Sequence, residues 1–419
     1  MTIDFLDPLK YEKLELVING ENYLDNSSFR GAVIEEKIDS PFVFGTVYVD
    51  DWFDLRNKIR LDGTQNVSFL YKPLNDDIIT FPNITLYRTN NITDTDVDNQ
   101  KRLYYGIGFC SKGYTESTKA ALSKNYELTS PYTIYRDAFG ICGMPVETGF
   151  TAPVPISENF YNERLQTVLS RMEDKIDTTQ ANHNSCLMMT YYNRTTGGVS
   201  VKLIDEILTT APNVATFIKY SNQSQTTMFK NSILEQKCFE DFDTTKREYV
   251  NFKVSSFNES TGRVYTSCPP VVINFDMGGR KIFEEMKYYN GGGPNVKIIT
   301  HENKPANDRN KNVNFLLAKK HRLVMDCHMD QNKGVFRIPP NSKIKVGVRC
   351  KLEIRKRISS DEFSDSLDDR NSGIVLVTGV KHHINISTVN PTSYMDVEYI
   401  KPEYYGEDKK LNILNKNIV

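Results

Sequence analysis

A buried β-strand near the carboxyl end is predicted by the run Ile374-Val375-Leu376-Val377-Thr378-Gly379-Val380-Lys381-His382-His383. Its first four residues are the most apolar short run in the chain, which is typical of a covered strand bounded by more polar residues. A further strand is predicted from Tyr394 to Tyr399. His382 and His383 are neighbours on the predicted strand, so their rings point to opposite faces and do not easily share one metal ion. The end of the chain is therefore predicted to consist of closing strands.

Alternating apolar residues predict two more β-rich regions. The first covers residues 14 to 130 and includes the alternation Val67, Phe69 and Tyr71, which follows an Asp-Gly turn signal at 62–63. The second runs from residue 323 to 348 and contains the turn Pro339-Pro340-Asn341-Ser342. Together with the closing strands, these regions predict two β-rich blocks of similar size with helical material between them.

Helical segments are predicted between the blocks, including a short one near Ile204 to Leu208. Ser157 stands where an N-cap would, ahead of apolar residues that recur mostly at steps of three and four. Gly278-Gly279-Arg280 precedes another helical run, Ile282 to Met286, and residues 308 to 322 form a further one. A Gly197-Gly198 turn is predicted to separate two strands. The apolar face of the first helix comprises Tyr161, Leu165, Val168, Leu169, Met172 and Ile176.

Length and charge exclude some classes of protein. The chain has 419 residues, and at about 150 residues per domain this predicts two to four domains. Lys plus Arg is 52 and Asp plus Glu is 53, so the net charge of -1 argues against a dedicated nucleic-acid binder. The start, Met1 to Pro8, lacks the pattern of a signal peptide, and no stretch has the roughly 18 apolar residues of a spanning helix. The seven cysteines contain no CxxC and are predicted to be reduced, mostly buried thiols.

No catalytic, cofactor or metal site is predicted from the sequence motifs. Asp326, His328 and Asp330 would share one face of a strand near Cys327, but this spacing is also that of an ordinary solvated face. The run Gly291 to Gly293 is followed by Pro294 instead of the Gly-Lys-Ser/Thr of a phosphate loop, so a turn is predicted. Nucleophile and zinc-protease motifs are absent from the sequence. The acidic pairs Glu284-Glu285 and Glu240-Asp241 are predicted to be surface groups.

The densest basic stretch is Lys351 to Arg357, in which Leu352 and Ile354 alternate with charged residues. This pattern predicts the polar face of an exposed strand. The alternative is a charged surface that lines a channel or touches a partner.

In order, length and local pattern the chain resembles the baseplate hub protein of contractile bacteriophage tails. The similarity covers residues 14 to 403 and is carried by three matches and no catalytic motif. The family normally has Gly where Asn341 or Ser342 stands here. The first match is Gly31 to Ile38, Phe42 to Asp51, Ile59 to Gly63 and Phe69-Leu70-Tyr71; the second is Leu323 to Met329 with Phe336 to Ile344; the third is Val375 to His383.

The resemblance implies an α+β, β-rich, ring-forming fold with two tube-protein-like β-barrel domains and inserted α/β domains. It implies a homotrimer that joins the sixfold tail tube to the threefold central spike, with baseplate wedge proteins as further partners. DNA would pass through the channel without sequence-specific binding, and the protein would be assembled in the host cytoplasm without membrane insertion. The implied domains are 1–130 (first tube-like), 131–213 (inserted α/β), 214–270 with 310–405 (second tube-like), 271–309 (small insertion) and 406–419 (tail).

Two other hypotheses stay open at this point. Tyr-rich β-structure, with 23 Tyr and 22 Phe in the chain, also fits a virion receptor-binding or peripheral tail protein. The spacing of Asp326, His328 and Asp330 is the only support for a cytosolic enzyme, such as a hydrolase.

Overall fold

The fold is mostly β, as the sequence predicts, and its main element is a curled, largely antiparallel sheet. The structure is a computed structural model. It describes residues 9–23, 29–51, 64–97, 100–173, 175–177, 186–219, 230–239, 253–258, 263–267, 272–276, 281–285, 297–302, 333–357, 363–368, 371–385 and 392–401.

The elements follow the chain in this order. The strands of the first part are β1 (Tyr11–Ile18), β2 (Glu21–Asn22), β3 (Phe29–Lys37), β4 (Phe44–Asp51), β5 (Val67–Pro73), β6 (Ile79–Val97) and β7 (Gln100–Ser111). The middle part has α1 (Lys112–Ser117), β8 (Ala121–Thr129), α2 (Pro131–Gly140), β9 (Val146–Thr148), β10 (Ile156–Arg164), α3 (Leu165–Glu173), β11 (Met188–Asn193), β12 (Gly198–Leu203) and α4 (Ile204–Thr210). The remaining strands are β13 (Asn213–Lys219), β14 (Glu235–Phe239), β15 (Lys253–Asn258), β16 (Arg263–Ser267), β17 (Val272–Asp276), β18 (Lys281–Glu285), β19 (Lys297–Glu302), β20 (Lys333–Ile338), β21 (Arg349–Arg357), β22 (Phe363–Leu367), β23 (Gly373–Asn385) and β24 (Thr392–Ile400).

The main sheet joins the beginning and the end of the chain. Its strand order is β14-β20-β24-β23-β3-β4-β7-β6-β5-β1-β2, with β21 pairing β23 and carrying β13 and β22 beside it. Strands from the two β-rich blocks therefore belong to one sheet, and β23 lies where they meet.

Strand β23 changes partner along one of its edges. Its first residues pair with β21, from Gly373 opposite Leu352 to Leu376 opposite Arg349. Its last residues pair with β3, and β24 covers the other edge, where the register shifts between Val377 and Gly379. Such an irregularity bends a strand. Val375 and Leu376 are fully buried, so the predicted buried strand is confirmed.

Backbone hydrogen bonds also link parts of the chain at the two ends of the sheet. The amide of Ser393, in β24, donates to the carbonyl of Leu9, just before β1, over 2.6 Å. In the later block, the amide of Ile218 in β13 donates to the carbonyl of Asn231 over 2.9 Å, shortly before β14 begins. The late strand β24 thereby contacts the chain just before β1, and β13 contacts the chain just before β14.

Three hydrophobic clusters fill the described structure. The first lies inside the early strands and includes Phe69 and Phe109, and the second lies inside the late strands and includes Phe217 and Phe336. The third packs helices α2 and α3 against the ribbon of β8 and β10. The residue limits of the domains stay a prediction.

The helix predicted after Ser157 is partly wrong. Residues Ile156–Arg164 form β10, which pairs with β8, and the helix begins only at Leu165. Tyr161, placed on the apolar helix face by its spacing, is 88% exposed, whereas Leu165, Val168 and Met172 are buried as predicted. The partner strand supplies hydrogen bonds to β10 that local spacing cannot reveal, and so the pairing prevails over the helical pattern.

The helical run predicted from Ile282 to Met286 is also wrong. Residues Lys281–Glu285 form β18, antiparallel to β17, with Ile282 opposite Phe275. A five-residue run fits either period, so its β-forming neighbour decides the structure. The helix predicted at 308–322 and the strand that follows it lie outside the described residues.

Candidate functional site

The predicted chemical motifs are not gathered at one site in the part of the chain that the structure describes. Asp326, Cys327, His328, Asp330, the run Gly291 to Gly293 and the pair Glu240-Asp241 lie outside the described residues. Within those residues, no group of three or more His, Cys, Asp or Glu side chains is arranged to hold a metal ion. His382 and His383 lie on β23 and face opposite sides, as predicted, since His382 is fully buried and His383 is not.

Four of the cysteines and most of the basic stretch lie among the described residues, in surroundings that point to a structural role. Cys110, Cys142, Cys186 and Cys350 are buried, and burial raises the pKa of the Cys142 thiol to about 11. The basic stretch forms most of β21, as predicted, and its Lys351 pairs with Glu353 at 2.6 Å.

A buried polar cluster surrounds His382. The hydroxyl of Tyr71, on β5, lies 2.7 Å from His382 Nδ1, and His382 Nε2 lies 3.3 Å from Oε1 of Glu36, on β3. With the Tyr71 hydroxyl donating to Nδ1, the ring proton sits on Nε2 and is donated to Glu36. The same Glu36 oxygen accepts hydrogen bonds from Arg194 Nε at 3.1 Å and from its Nη2 at 2.5 Å. We call Glu36, Tyr71, Arg194 and His382 the joint cluster.

Arg194 reaches the joint cluster from a hairpin of the middle part. It follows β11, and its Nη1 donates to the carbonyl of Ile344 over 3.1 Å while its guanidinium lies 5.3 Å from the centre of the Phe81 ring. The hairpin turn ends at Gly197, whose φ of 67° suits glycine and whose missing Cβ would lie 2.8 Å from Asn83 Cβ. One guanidinium therefore contacts Glu36 and Phe81 of the early part of the chain and Ile344 and His382 of the late part.

The electrostatics of the joint cluster are those of a fixed ion pair beside a neutral ring. The pKa of His382 is lowered to about 4, mainly by burial and also by the charge of Arg194, while the hydrogen bond to Glu36 opposes the shift. Burial alone would raise the pKa of Glu36, but Arg194 and His382 outweigh it, and the pKa of this carboxyl is lowered. His382 is 0% exposed and Glu36 is 1% exposed, so a substrate has no access to them. The cluster is suited to joining strands and not to catalysis.

A second contact between the blocks lies at the turn after β5. Asp76 Oδ1 accepts a hydrogen bond from the Ser342 hydroxyl at 2.7 Å, Oδ2 accepts one from the Ser342 amide at 3.0 Å, and Lys230 Nζ lies 2.8 Å from Oδ2. Asn341 Oδ1 accepts a hydrogen bond from the amide of Lys343 at 3.1 Å, and this bond stabilises the turn that contains Ser342. These side chains hold the turn in which the resembling family normally has glycine.

Replacing Asp76 with alanine is expected to lower the free energy of unfolding by about 1–3 kcal/mol, because the half-buried amide and hydroxyl of Ser342 lose their acceptor. Burial raises the pKa of Asp76, but Lys230 and Ser342 outweigh it and the net pKa is lowered. Urea unfolding followed by fluorescence measures the change. Asp77→Ala, at the neighbouring position, is the matched control and is expected to change little; equal effects of the two variants would contradict the assignment.

Comparison of the structure with solved protein structures identifies proteins with a similar fold. No protein family matches the sequence, and no curated protein matches it. Among solved structures, the chain is similar to a tail protein from Neisseria meningitidis MC58, with a TM-score of 0.59 at 8% identity over 93% of this chain and 97% of that one. It is also similar to the 43 kDa tail protein of prophage MuSo2 from Shewanella oneidensis, with a TM-score of 0.55 at 8% identity over 93% and 98% of the two chains.

The chain has the fold of a phage tail protein. The tail-protein fold covers both β-rich blocks and the middle part, which agrees with the span of the resemblance seen in the sequence. In the described residues of this tail-protein fold, no helix combines the length and apolarity needed to cross a membrane.

One outward face of the tail-protein fold carries a row of alternating charges across five strands. In register the row reads Glu235 on β14, Arg337 on β20, Asp396 on β24, Lys381 on β23 and Glu35 on β3. Arg337 Nε donates to Asp396 Oδ1 over 2.7 Å, and Arg337 Nη1 lies 3.0 Å from Glu235. Opposite charges that face each other across strands stabilise a sheet. The row crosses from one block to the other beside the joint cluster and adds no net positive charge.

Proposed function

We propose that the chain is a structural component of a phage tail, without catalysis, and that it is the hub of the baseplate. As a hub it forms a homotrimeric ring that joins the sixfold tail tube to the threefold central spike. The observation that carries this proposal is the tail-protein fold, which matches over 93% of the chain. The joint cluster supports a structural role, because its buried residues connect strands and are closed to substrate.

The arrangement of the strands supports the threefold-to-sixfold step of this proposal. Each copy has one hydrophobic cluster inside the early strands and one inside the late strands. In the proposal each cluster is the core of one tube-like unit, so that three copies would present six units. In the proposal, the first tube-like domain is 1–130 and the second is 214–270 with 310–405, with 131–213 and 271–309 as insertions. A closed ring needs complementary surfaces on each copy.

The proposed partners follow from the position of a hub. They are the other two copies, the central spike, the tail tube and the baseplate wedge proteins, in a virion baseplate assembled in the host cytoplasm. DNA would pass through the channel without being read. In the proposal, a surface with alternating charges such as the charge row would not bind DNA tightly, because its positive and negative side chains offset each other.

The mass of the purified full chain in solution tests the proposal. Light scattering during size-exclusion chromatography is expected to give three times the chain mass of 48.1 kDa. Electron microscopy down the axis is expected to show a threefold ring with a pseudo-sixfold outline. A strict monomer at high concentration that is absent from tail particles would contradict the hub. Binding of host cells by that monomer would instead favour a receptor-binding or peripheral tail protein.

A further inference from the structure

We propose that a buried water molecule joins the hydroxyl of Tyr132 to the carboxylate of Glu206, beside the Cα atom of Gly149. Tyr132 lies in the first turn of α2, Gly149 directly follows β9, and Glu206 lies in α4. The water molecule therefore links three segments of the middle part of the fold. The site lies within one chain and does not depend on the proposed homotrimer.

The two side chains are buried, and each has a polar atom that is not bonded to protein. Glu206 is 1% exposed and Tyr132 is 8% exposed. Within the described residues, neither Glu206 Oε2 nor the Tyr132 hydroxyl has a hydrogen-bond partner, so the two atoms do not bond each other. Buried polar atoms are nearly always hydrogen-bonded, to protein or to ordered water, because an unpaired one loses its hydration without compensation.

Both polar atoms lie beside the Cα atom of Gly149. A Cβ atom at this position would overlap Glu206 Oε2 and would lie 2.7 Å from the Tyr132 hydroxyl. The φ of Gly149 is not positive, so the close approach of these atoms, and not the backbone conformation, requires glycine here. Two oxygen atoms that approach one point from separate segments without bonding each other are suited to a bridging water molecule.

The two oxygen atoms have complementary hydrogen-bonding roles. Burial and the charge of Glu206 raise the pKa of Tyr132, so its hydroxyl keeps its proton and can donate. Glu206 Oε1 accepts a hydrogen bond from the amide of Thr151, and Oε2 is left as the second acceptor of the carboxylate. The water molecule accepts from Tyr132 and donates to Glu206 Oε2.

Water suits this site better than a metal ion. A buried water molecule needs about two to four polar partners, whereas Ca²⁺ takes about six to eight oxygen ligands. The site provides one carboxylate and one phenol. Among the residues that the structure describes, no group of three or more His, Cys, Asp or Glu side chains is arranged to hold a metal ion.

Replacing Tyr132 with phenylalanine tests the site through the sign of the effect. Tyr132→Phe is expected to raise the equilibrium constant for unfolding about fivefold, the effect of losing roughly one net hydrogen bond. Removal of a hydroxyl that is buried without a partner would instead leave this constant unchanged or lower it, and that result would overturn the proposal. Urea unfolding measures the constant. Tyr161→Phe, at a tyrosine that is 88% exposed, is the matched control and is expected to change nothing.

A double-mutant cycle tests whether the two side chains act through one shared molecule. Glu206→Gln, which keeps the shape of the side chain, is combined with Tyr132→Phe. The increase in the unfolding constant for the double variant is expected to be smaller than the product of the two single increases. An increase equal to that product would show independent side chains and overturn the bridge. Circular dichroism shows that the variants fold.

A crystal structure of the full chain identifies the bound molecule. One peak of density is expected at about 2.5–3.0 Å from both the Tyr132 hydroxyl and Glu206 Oε2. Three outcomes would overturn the water site: direct contact of the two oxygen atoms over that distance, a gap without density, or a peak with about six oxygen ligands, as for a cation. Each of these outcomes leaves the hub proposal as it stands, because the site is internal to one chain.

Discussion

Replacing Arg194 with methionine is expected to lower the free energy of unfolding by about 3–5 kcal/mol, the usual cost of breaking a buried ion pair from one side. The side chain is 8% exposed and its partner Glu36 is 1% exposed, so water does not replace the lost charge. The carbonyl of Ile344 loses its donor at the same time. Urea unfolding, with the slope compared between variants, measures the change.

Two further variants separate the lost ion pair from lost packing. Glu36→Gln combined with Arg194→Met removes both charges and is expected to be more stable than Arg194→Met alone. Arg30→Met breaks an ion pair whose arginine is 50% exposed. It is expected to lower the free energy of unfolding by less than about 1 kcal/mol, the upper end of the range for surface ion pairs. A loss for Arg194→Met no greater than that for Arg30→Met would contradict the role of the joint cluster.

Acid is expected to destabilise the protein through His382 as the pH falls from 6.5 toward 4. The pKa of this ring is about 4 in the folded protein, against an ordinary histidine pKa of about 6.5 in an unfolded chain. Between these values the unfolded chain binds a proton that the folded protein does not, so stability rises with pH and is lost as the pH falls. At about 1.4 kcal/mol per unit, the full loss is about 3 kcal/mol.

The adjacent histidine provides the control for this pH dependence. His382→Gln is expected to flatten the dependence between pH 4 and 6.5, whereas His383→Gln, at the half-buried neighbouring position, is expected to keep it. Glu36, Arg194 and Tyr71 face the His382 ring, and Glu36, with its lowered pKa, adds a loss of its own at more acid pH. Melting temperature against pH for the three proteins measures the effect. Parallel curves for wild type and His382→Gln would contradict it.

The strands could be predicted where apolar residues alternate with polar ones, or form a continuous apolar run, within a short stretch of sequence. The apolar run at 374–377 and the alternation in Val67, Phe69 and Tyr71 correspond to β23 and β5, because burial of one face or both selects these residues locally. Gly197 likewise marked its turn. The error at β10 has the opposite cause, since its pairing with β8 depends on residues about 35 positions away that no local window contains.

The joint cluster was not predictable from the sequence, although His382 stands out there as one of two adjacent histidines. Arg194 contacts Glu36 and His382 from separations of 158 and 188 residues, and an arginine next to a turn is usually exposed. The polar residue within the alternation of β3, Glu36 between Ile34 and Ile38, is the signal that could have marked a buried partner.

Sharing β23 between the two blocks also sets the timing of folding. A ribosome makes β3 long before β23, because Glu36 and His382 are 346 positions apart. Until β23 emerges, β3 lacks one of its two neighbours and offers an open edge to other nascent chains. Pairing over such a separation is slow. The early block therefore completes its sheet only after β23 has been made, so a chain that stops before β23 lacks the finished sheet.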